Sequence, residues 1–302
     1  MTLEEAKQEF LHEKEVNGCS EQTVRDYHFF IKVFLDYKGN CELKYITKGD
    51  IEEYTLDLYK RDLSKATHHT YLHHLRIFFM WCAKKTTLQF DPAEIAVPRS
   101  PKKKLRIYST EDIRLIYTIE CTNVDWLNVR DRAVVSLMLD SGLRQMEPCT
   151  ITLQDIDFSA KRVKVRGKGN KERIVPLGNI TIALIKRYLE LTPYKETKYL
   201  FCSQYGKPLT RNAIKLFVRK MKEQLPFEFS SHKLRHNFAT NYCIDKLENE
   251  GTVDTYSLMY IMGHESIETT ERYVHLAREI IASKTHISHV DKVLQGILGI
   301  AV

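Results

Sequence analysis

The stretch "AVPRSPKKKLRIY", residues 96–108, constrains this chain more than any other, because it resists regular structure and interrupts it. Its two prolines lack the amide donor that helices and ladders use. Its five Lys/Arg repel one another, and no acid balances them. The stretch reads as an extended basic linker. About 13 residues at roughly 3.3 Å each reach on the order of 40 Å, enough to pass around a duplex. A solvated connector that touches nothing is the plainer alternative. Either way the chain divides into a domain at 1–94, a linker at 95–108 and a domain at 109–302. With 302 residues in all, each domain is long enough to bury a core of its own.

The first domain reads as a helical bundle. Thr2 and Glu5 form a capping-box pattern ahead of an apolar run that stops at Gly18. Ser20 caps a second helix carrying Val24, Tyr27, Phe30, Ile31 and Leu35, ending near Gly39. Thr47 caps a third over 48–62, and Ser64 a fourth through Tyr71, Leu75, Phe78, Phe79 and Trp81. Phe90-Asp91-Pro92 closes the bundle. In the second domain Ser109 opens a helix, and periodic patterns predict helices over 110–120, 127–140, 179–191, 210–224, 232–246, 254–262 and 267–282. Between them, "ITLQDIDFSAKRVKVRGKGNKERIVPLG" alternates apolar and polar residues around Gly and Asn, which predicts a small antiparallel sheet with a "GKGNK" turn. The fold class is therefore mainly α with a small antiparallel β-sheet in the second domain. Val290, Val293, Leu294, Ile297 and Leu298 form an apolar stripe near the C-terminus, on a helix expected over about 284–302.

Charge is uneven. Residues 1–100 carry 14 Lys/Arg against 16 Asp/Glu, whereas residues 101–302 carry 32 against 23. A basic excess in the second part fits a polyanionic partner, nucleic acid first. Seven scattered cysteines with no CxxC pair read as free, mostly packed thiols rather than a zinc site. No stretch approaches a membrane span, and the N-terminus opens as a capped helix rather than a signal peptide, so a cytoplasmic location is expected.

Four further stretches carry chemistry. In "SHKLRHNFAT", His232 lies three residues before Arg235 and four before His236, spacings that share a helix face. The first pair suits an anion. The second would suit a metal, but it lacks the Glu of HExxH. "SGLRQMEP" places Arg144 just past a helix end with Glu147 three residues on. "GKGNKER" sets Lys168 at a hairpin tip, without the GxxxxGK[ST] of a P-loop. "MGHESIETTERYVH" holds His264 and, nine residues later, Tyr273.

Taken together and in order, these stretches resemble the tyrosine recombinases, also called the phage integrase family, over nearly all of residues 110–275. The N-terminal helices and linker resemble the family's core-binding domain in architecture only. The resemblance implies that Arg144 and Arg235 bind the phosphate, that His232 and His264 fill the two histidine positions, that Lys168 is the hairpin lysine and that Tyr273 is the nucleophile. Glu147 resembles the acid that braces the first arginine. His236 is expected to pack or bond behind the site. One departure is the segment 245–257, which is longer than the usual turn before the Gly-His pair.

The residue types suit the chemistry so implied. Attack on a phosphodiester builds charge on its non-bridging oxygens, and two guanidiniums match it with paired hydrogen bonds. A phenol with a pKa near ~10 must lose its proton as it attacks, so His232 is the expected acceptor. The leaving 5′-hydroxyl needs a proton, which Lys168 is expected to supply. The product would be a 3′-phosphotyrosine, formed without metal, ATP or other cofactor. Lys164, Arg166 and Lys171 beside the hairpin, and Arg99, Lys102, Lys103 and Lys104 in the linker, are the expected DNA contacts. The resemblance further implies double-stranded DNA with inverted-repeat core sites, a homo-tetramer whose C-terminal helix docks onto a neighbour, and an accessory directionality factor. The implied role is integration or excision of a mobile element. The alternatives are chromosome-dimer resolution of the Xer kind, type IB topoisomerase activity, or DNA binding without catalysis.

Overall fold

Helix caps set the order of elements in this computed structural model, which describes residues 1–99, 107–167, 169 and 171–284. The chain forms two compact units, Met1–Lys104 and Leu105–Val302. In the first, α1 (Leu3–Val16) starts at Thr2 in a reciprocal capping box with Glu5, and α2 (Glu21–Lys38) starts at Ser20. Helix α3 (Lys48–Lys60) starts at Thr47, again with a reciprocal box, here to Asp50, and α4 (Lys65–Lys85) starts at Ser64. Each cap oxygen satisfies an amide that the first turn leaves without a partner. Phe10, Phe34, Tyr54, Phe78 and Phe79 are fully buried between these helices. Burying each such ring contributes about 1.5–3 kcal/mol.

Both ends of the stretch read as a linker are anchored. Ile95 is buried in the first core, and the Pro98 carbonyl meets His69 Nδ1 at 2.8 Å. Tyr108 is buried in the second unit, where its amide donates to Asn237 Oδ1 at 2.8 Å. Lys102, Lys103 and Lys104 lie outside the described residues.

The second unit is built around α6 (Asp125–Ser141). Val134, Leu137 and Met138 are fully buried there, and α7 (Asn179–Leu191) and α9 (Ser231–Glu250) pack against it. Strands β1 (Ile156–Asp157), β2 (Arg162–Arg166) and β3 (Glu172–Pro176) form an antiparallel sheet in that order, with Val163 opposite Val175 and Val165 opposite Arg173. The mainly helical class with one small sheet is the expected one. Helices α5 (Thr110–Thr118), α8 (Arg211–Gln224), α10 (Thr255–Met262) and α11 (Ile267–Lys284) complete the described unit.

Helix α9 runs one turn past the expected stop at 246 and ends at Gly251, whose positive φ of 72° closes it. Asp254 then accepts from the amides of Tyr256 and Ser257 and starts α10. The longer segment 245–257 is thus the last turn of α9 plus a capped entry to α10. The expected C-terminal helix over 284–302 lies almost wholly outside the described residues.

Candidate active site

Two sharp helix ends bring the site together. Helix α6 stops at Gly142 (φ 63°) and α10 at Gly263 (φ 62°), both in the left-handed region that suits glycine. A Cβ on Gly142 would lie 2.9 Å from Met262 Sδ, so no larger residue fits. The carbonyls exposed at these ends hold the arginines. Arg235, on α9 and 5% exposed, donates to the Gly142 carbonyl at 2.6 Å and to that of Met262. Arg144 donates to the Gly263 carbonyl and, at 3.2 Å, to Glu147 Oε1. Burial, then the Arg144 charge, brings Arg235 down to about 10, so it stays charged near neutral pH.

Glu147 is the anionic brace. Its carboxylate accepts the Arg144 amide at 2.7 Å and two parallel bonds from Arg173, at 2.7 and 2.9 Å. Burial pushes Glu147 upward, but the Arg173 and Arg144 contacts outweigh it and hold the group below its ordinary value. Arg173 also donates through Nε to the Ile261 carbonyl at 2.6 Å, tying β3 to α10. Sequence reasoning missed Arg173. The signal was available: alternation along "ERIVP" puts Arg173 on the buried face with Val175 and leaves Ile174 outside. An inward arginine on such a strand demands a buried acid.

The nucleophile candidate lies under this frame. Tyr273, on α11, is 2% exposed, and its hydroxyl is hydrogen-bonded to His236 Nδ1. His236 Nε2 is in turn 2.6 Å from His232 Nε2. His236, expected to bond behind the site, is therefore the direct partner of the phenol. His232, expected to face the phenol itself, reaches it only through His236. The reason is helical: residue 236 lies one turn further along α9, on the side packed against α11. Burial raises the Tyr273 phenol above its ordinary value, with Arg272 and Arg235 offsetting part of the rise. His264, which follows Gly263, meets Thr270 Oγ1 through Nδ1 at 2.9 Å, and its ring lies nearly parallel to that of Tyr273, 6.1 Å between centres. Burial, then the Arg235 and Arg144 charges, brings His264 down to about 4, and burial, then His232, brings His236 to about 3. The cationic charge of the site at neutral pH therefore belongs to the guanidiniums, with neutral imidazoles around them.

Arg144, Gln145, Ser231, His232, Arg235 and His264 line a cavity of about 290 Å³. Two guanidiniums and two imidazoles share its wall, donors whose charge and fork geometry suit a phosphate-like anion. A wider cavity, about 850 Å³, opens beside it between Arg144, His264, Tyr260 and the hairpin residues Gly167 and Lys171. Lys168 lies outside the described residues. Its neighbour Gly167 approaches both arginines and the acid: a Cβ there would be 3.5 Å from Arg144, Arg173 and Glu147. Of the expected DNA contacts, Lys171 is exposed at the wider cavity. Arg166 pairs with Glu172 at 3.0 Å and Asp155 at 3.4 Å, and Lys164 sits 3.6 and 3.8 Å from the same acids. Neither lines the two cavities. Arg99 is exposed in the first unit. No helix among the described residues is long and apolar enough to cross a membrane.

Paired guanidiniums on one cavity and a buried phenol linked to it through two imidazoles are the features of this site. Residues 107–279 match the phage integrase family, and residues 7–89 match the phage integrase N-terminal SAM-like domain. The chain is 28% identical to tyrosine recombinase XerC of Oceanobacillus iheyensis, over 90% of this chain and 91% of that protein. It is 31% identical to XerC of Psychromonas ingrahamii, over 86% and 87%. Among solved structures, a Tn1549 transposon integrase in complex with a circular intermediate DNA superposes with a TM-score of 0.70 at 19% identity, covering 94% of this chain and all of that one. The chain belongs to the phage integrase family of tyrosine recombinases. It is a DNA-binding enzyme that cleaves and rejoins DNA strands.

Proposed function

We propose that this chain is a site-specific recombinase whose Tyr273 attacks a DNA phosphodiester held by Arg144 and Arg235, giving a 3′-phosphotyrosine and a free 5′-hydroxyl. The observation that carries the reading is the convergence of both guanidiniums on one cavity, with Tyr273 hydrogen-bonded through His236 to that cavity's His232. Arg144 and Arg235 neutralise the charge that develops on the non-bridging phosphate oxygens. A preorganised donor of this kind contributes about 2.7–4 kcal/mol to the transition state. His264 donates to the phosphate and braces α11 through Thr270. Lys168 protonates the leaving oxygen. Covalent capture conserves the ester, so a second DNA end reverses the step. The hydrogen bond of Tyr273 to His236 of its own chain supports cleavage in cis.

The enzyme acts as a homo-tetramer on paired inverted-repeat core sites, with the apolar stripe at Val290, Val293, Leu294, Ile297 and Leu298 docking onto a neighbouring protomer. An accessory factor sets direction. The role we assign is integration or excision of a mobile element. A second reading, chromosome-dimer resolution, is favoured by likeness to XerC proteins along most of both chains. The test is a suicide substrate cut from the DNA flanking the gene, run against a second substrate from the chromosomal terminus. A Tyr273-dependent covalent adduct that survives EDTA supports the chemistry, and the substrate that yields it decides the role. Strand cleavage that persists in Tyr273→Phe overturns the reading. Supercoil relaxation without exchange between sites would instead assign topoisomerase activity.

A further inference from the structure

Resting on that assignment of Tyr273, we infer that His236 is a catalytic residue: it takes the phenolic proton and passes another to His232, so that two imidazoles in series are the general base. The geometry is a continuous row. The Tyr273 hydroxyl meets His236 Nδ1, and His236 Nε2 meets His232 Nε2 at 2.6 Å. With both rings neutral, each link holds one proton, and the row can be polarised in either direction. In the reactive direction the phenol donates to Nδ1 of His236, and Nε2–H of His236 donates to Nε2 of His232.

Attack then proceeds with every proton accounted for. The Tyr273 O–H bond breaks as His236 Nδ1–H forms. His236 Nε2–H breaks as His232 Nε2–H forms. The phenolic oxygen bonds to phosphorus, and the bond from phosphorus to the 5′-oxygen breaks as that oxygen takes a proton from the ammonium of Lys168, which is left as a neutral amine. His236 ends neutral, in its other tautomer. His232 ends as an imidazolium with protons on both nitrogens. Religation runs the same row backwards.

The placement explains why two rings are used. His236 is 7% exposed and lines neither cavity at Arg144, whereas His232 is exposed and lines the anion cavity with Arg144, Arg235 and His264. A proton left on His236 would be a charge buried among its facing groups, which are His232 and Arg235 from α9, His264 after α10, and Arg272 from α11. Passing it to His232 moves that charge to the cavity where phosphate oxygens gain negative charge. The relay thus removes a proton at the phenol and delivers a cation at the phosphate.

The experiment uses full-length protein and the suicide substrate on which the unaltered enzyme forms adduct. His236→Gln keeps a hydrogen-bonding amide but cannot exchange protons between two nitrogens. The relay predicts cleavage slowed by about 10²-fold or more, the usual span of a general base, with DNA binding by gel shift unchanged. The rate of the variant should rise steadily with pH where the unaltered enzyme levels off. Installing 3,5-difluorotyrosine at 273, a more acidic phenol, should restore at least about tenfold to the variant. A variant that matches the unaltered enzyme overturns the relay. So does a slowed variant that keeps the original pH profile and gains nothing from fluorination, since that outcome assigns His236 to positioning alone. If His236→Gln does not fold, fluorinated Tyr273 with His236 intact carries the test: a pH profile that shifts in step with the phenol overturns the relay. If the unaltered enzyme forms no Tyr273 adduct on any substrate, the assignment of the nucleophile fails, and that result is distinct from the others.

Discussion

Replacing Arg173 with methionine isolates the brace that Glu147 forms with Arg144 and Arg173. Arg173 and Glu147 side chains are 6% and 3% exposed, so solvent screens their interaction little. The substitution removes two charge-assisted bonds to Glu147 and the Nε bond to the Ile261 carbonyl, while leaving Glu147 in place. Breaking a buried pair from one side costs about 3–5 kcal/mol, because the remaining charge is stranded. That is a large share of a stability of about 5–15 kcal/mol. Arg144 still supplies an amide and one guanidinium bond to Glu147, which places the expected loss at the lower end, about 3 kcal/mol.

The pH dependence separates this account from loss of packing. In the unaltered protein Glu147 is held below its ordinary value, so its contribution is present above the carboxylate range and is lost as the pH falls through it. Without Arg173, burial is opposed only by the Arg144 contacts, so Glu147 should rise from its held-down value. The variant should then lose less stability than the unaltered protein as the pH is lowered from 7 toward about 5. Urea unfolding of both proteins across that range measures the difference. Adding Glu147→Gln to Arg173→Met should cost less than the two single losses together. A loss within about 0.5 kcal/mol, the range of surface substitutions, would refute the reasoning. So would parallel pH trends in the two proteins.

Gly142→Ala should destabilise by about 1–3 kcal/mol from crowding alone, since the new methyl meets Phe238 and Met262 where the chain also needs a positive φ. Thermal melts measure that loss, and adduct formation should fall with it because the Gly142 carbonyl seats Arg235. His236 should show its burial on acidification. Its folded value near about 3 lies below the unfolded ~6.5, so its contribution is full above ~6.5 and is lost as the pH falls toward about 3. The stability of the unaltered protein relative to His236→Gln should therefore shrink over that window; a constant difference in urea unfolding would contradict the buried neutral imidazole.

What the sequence made legible and what it hid follow from the range of the interactions involved. Helix starts at Thr2, Ser20, Thr47, Ser64 and Ser109 are local, because each cap bonds an amide two or three residues on, and a short window of sequence contains the whole device. The grouping of Arg144, Arg235, His264 and Tyr273 came from the order of motifs rather than from any local rule. The direct link from His236 to Tyr273 spans 37 positions, and it depends on which turn of α9 faces α11, a packing fact that periodicity on α9 alone does not supply. Arg173 lies between these cases. Its strand position is a local pattern, but its partner Glu147 is 26 residues away along the chain, in the turn Glu147–Cys149 outside the sheet.

The same difference of range explains the layout of charge. Lys164 and Arg166 were attractive as DNA contacts because they flank the hairpin lysine in sequence, yet Asp155 and Glu172 already oppose them in space. Lys171, on the same hairpin, is instead exposed at the wider cavity. A phosphate approaching Lys164 or Arg166 meets the opposing charge of Asp155 and Glu172, whereas Lys171 faces the wider cavity. Counterion release scales with phosphates newly neutralised, so charges already matched within the protein add little to it. Affinity for duplex should therefore lean on Lys171 and the receptor arginines more than on the denser basic run of β2, and the net charge of a segment overstates its grip wherever acids are folded against it.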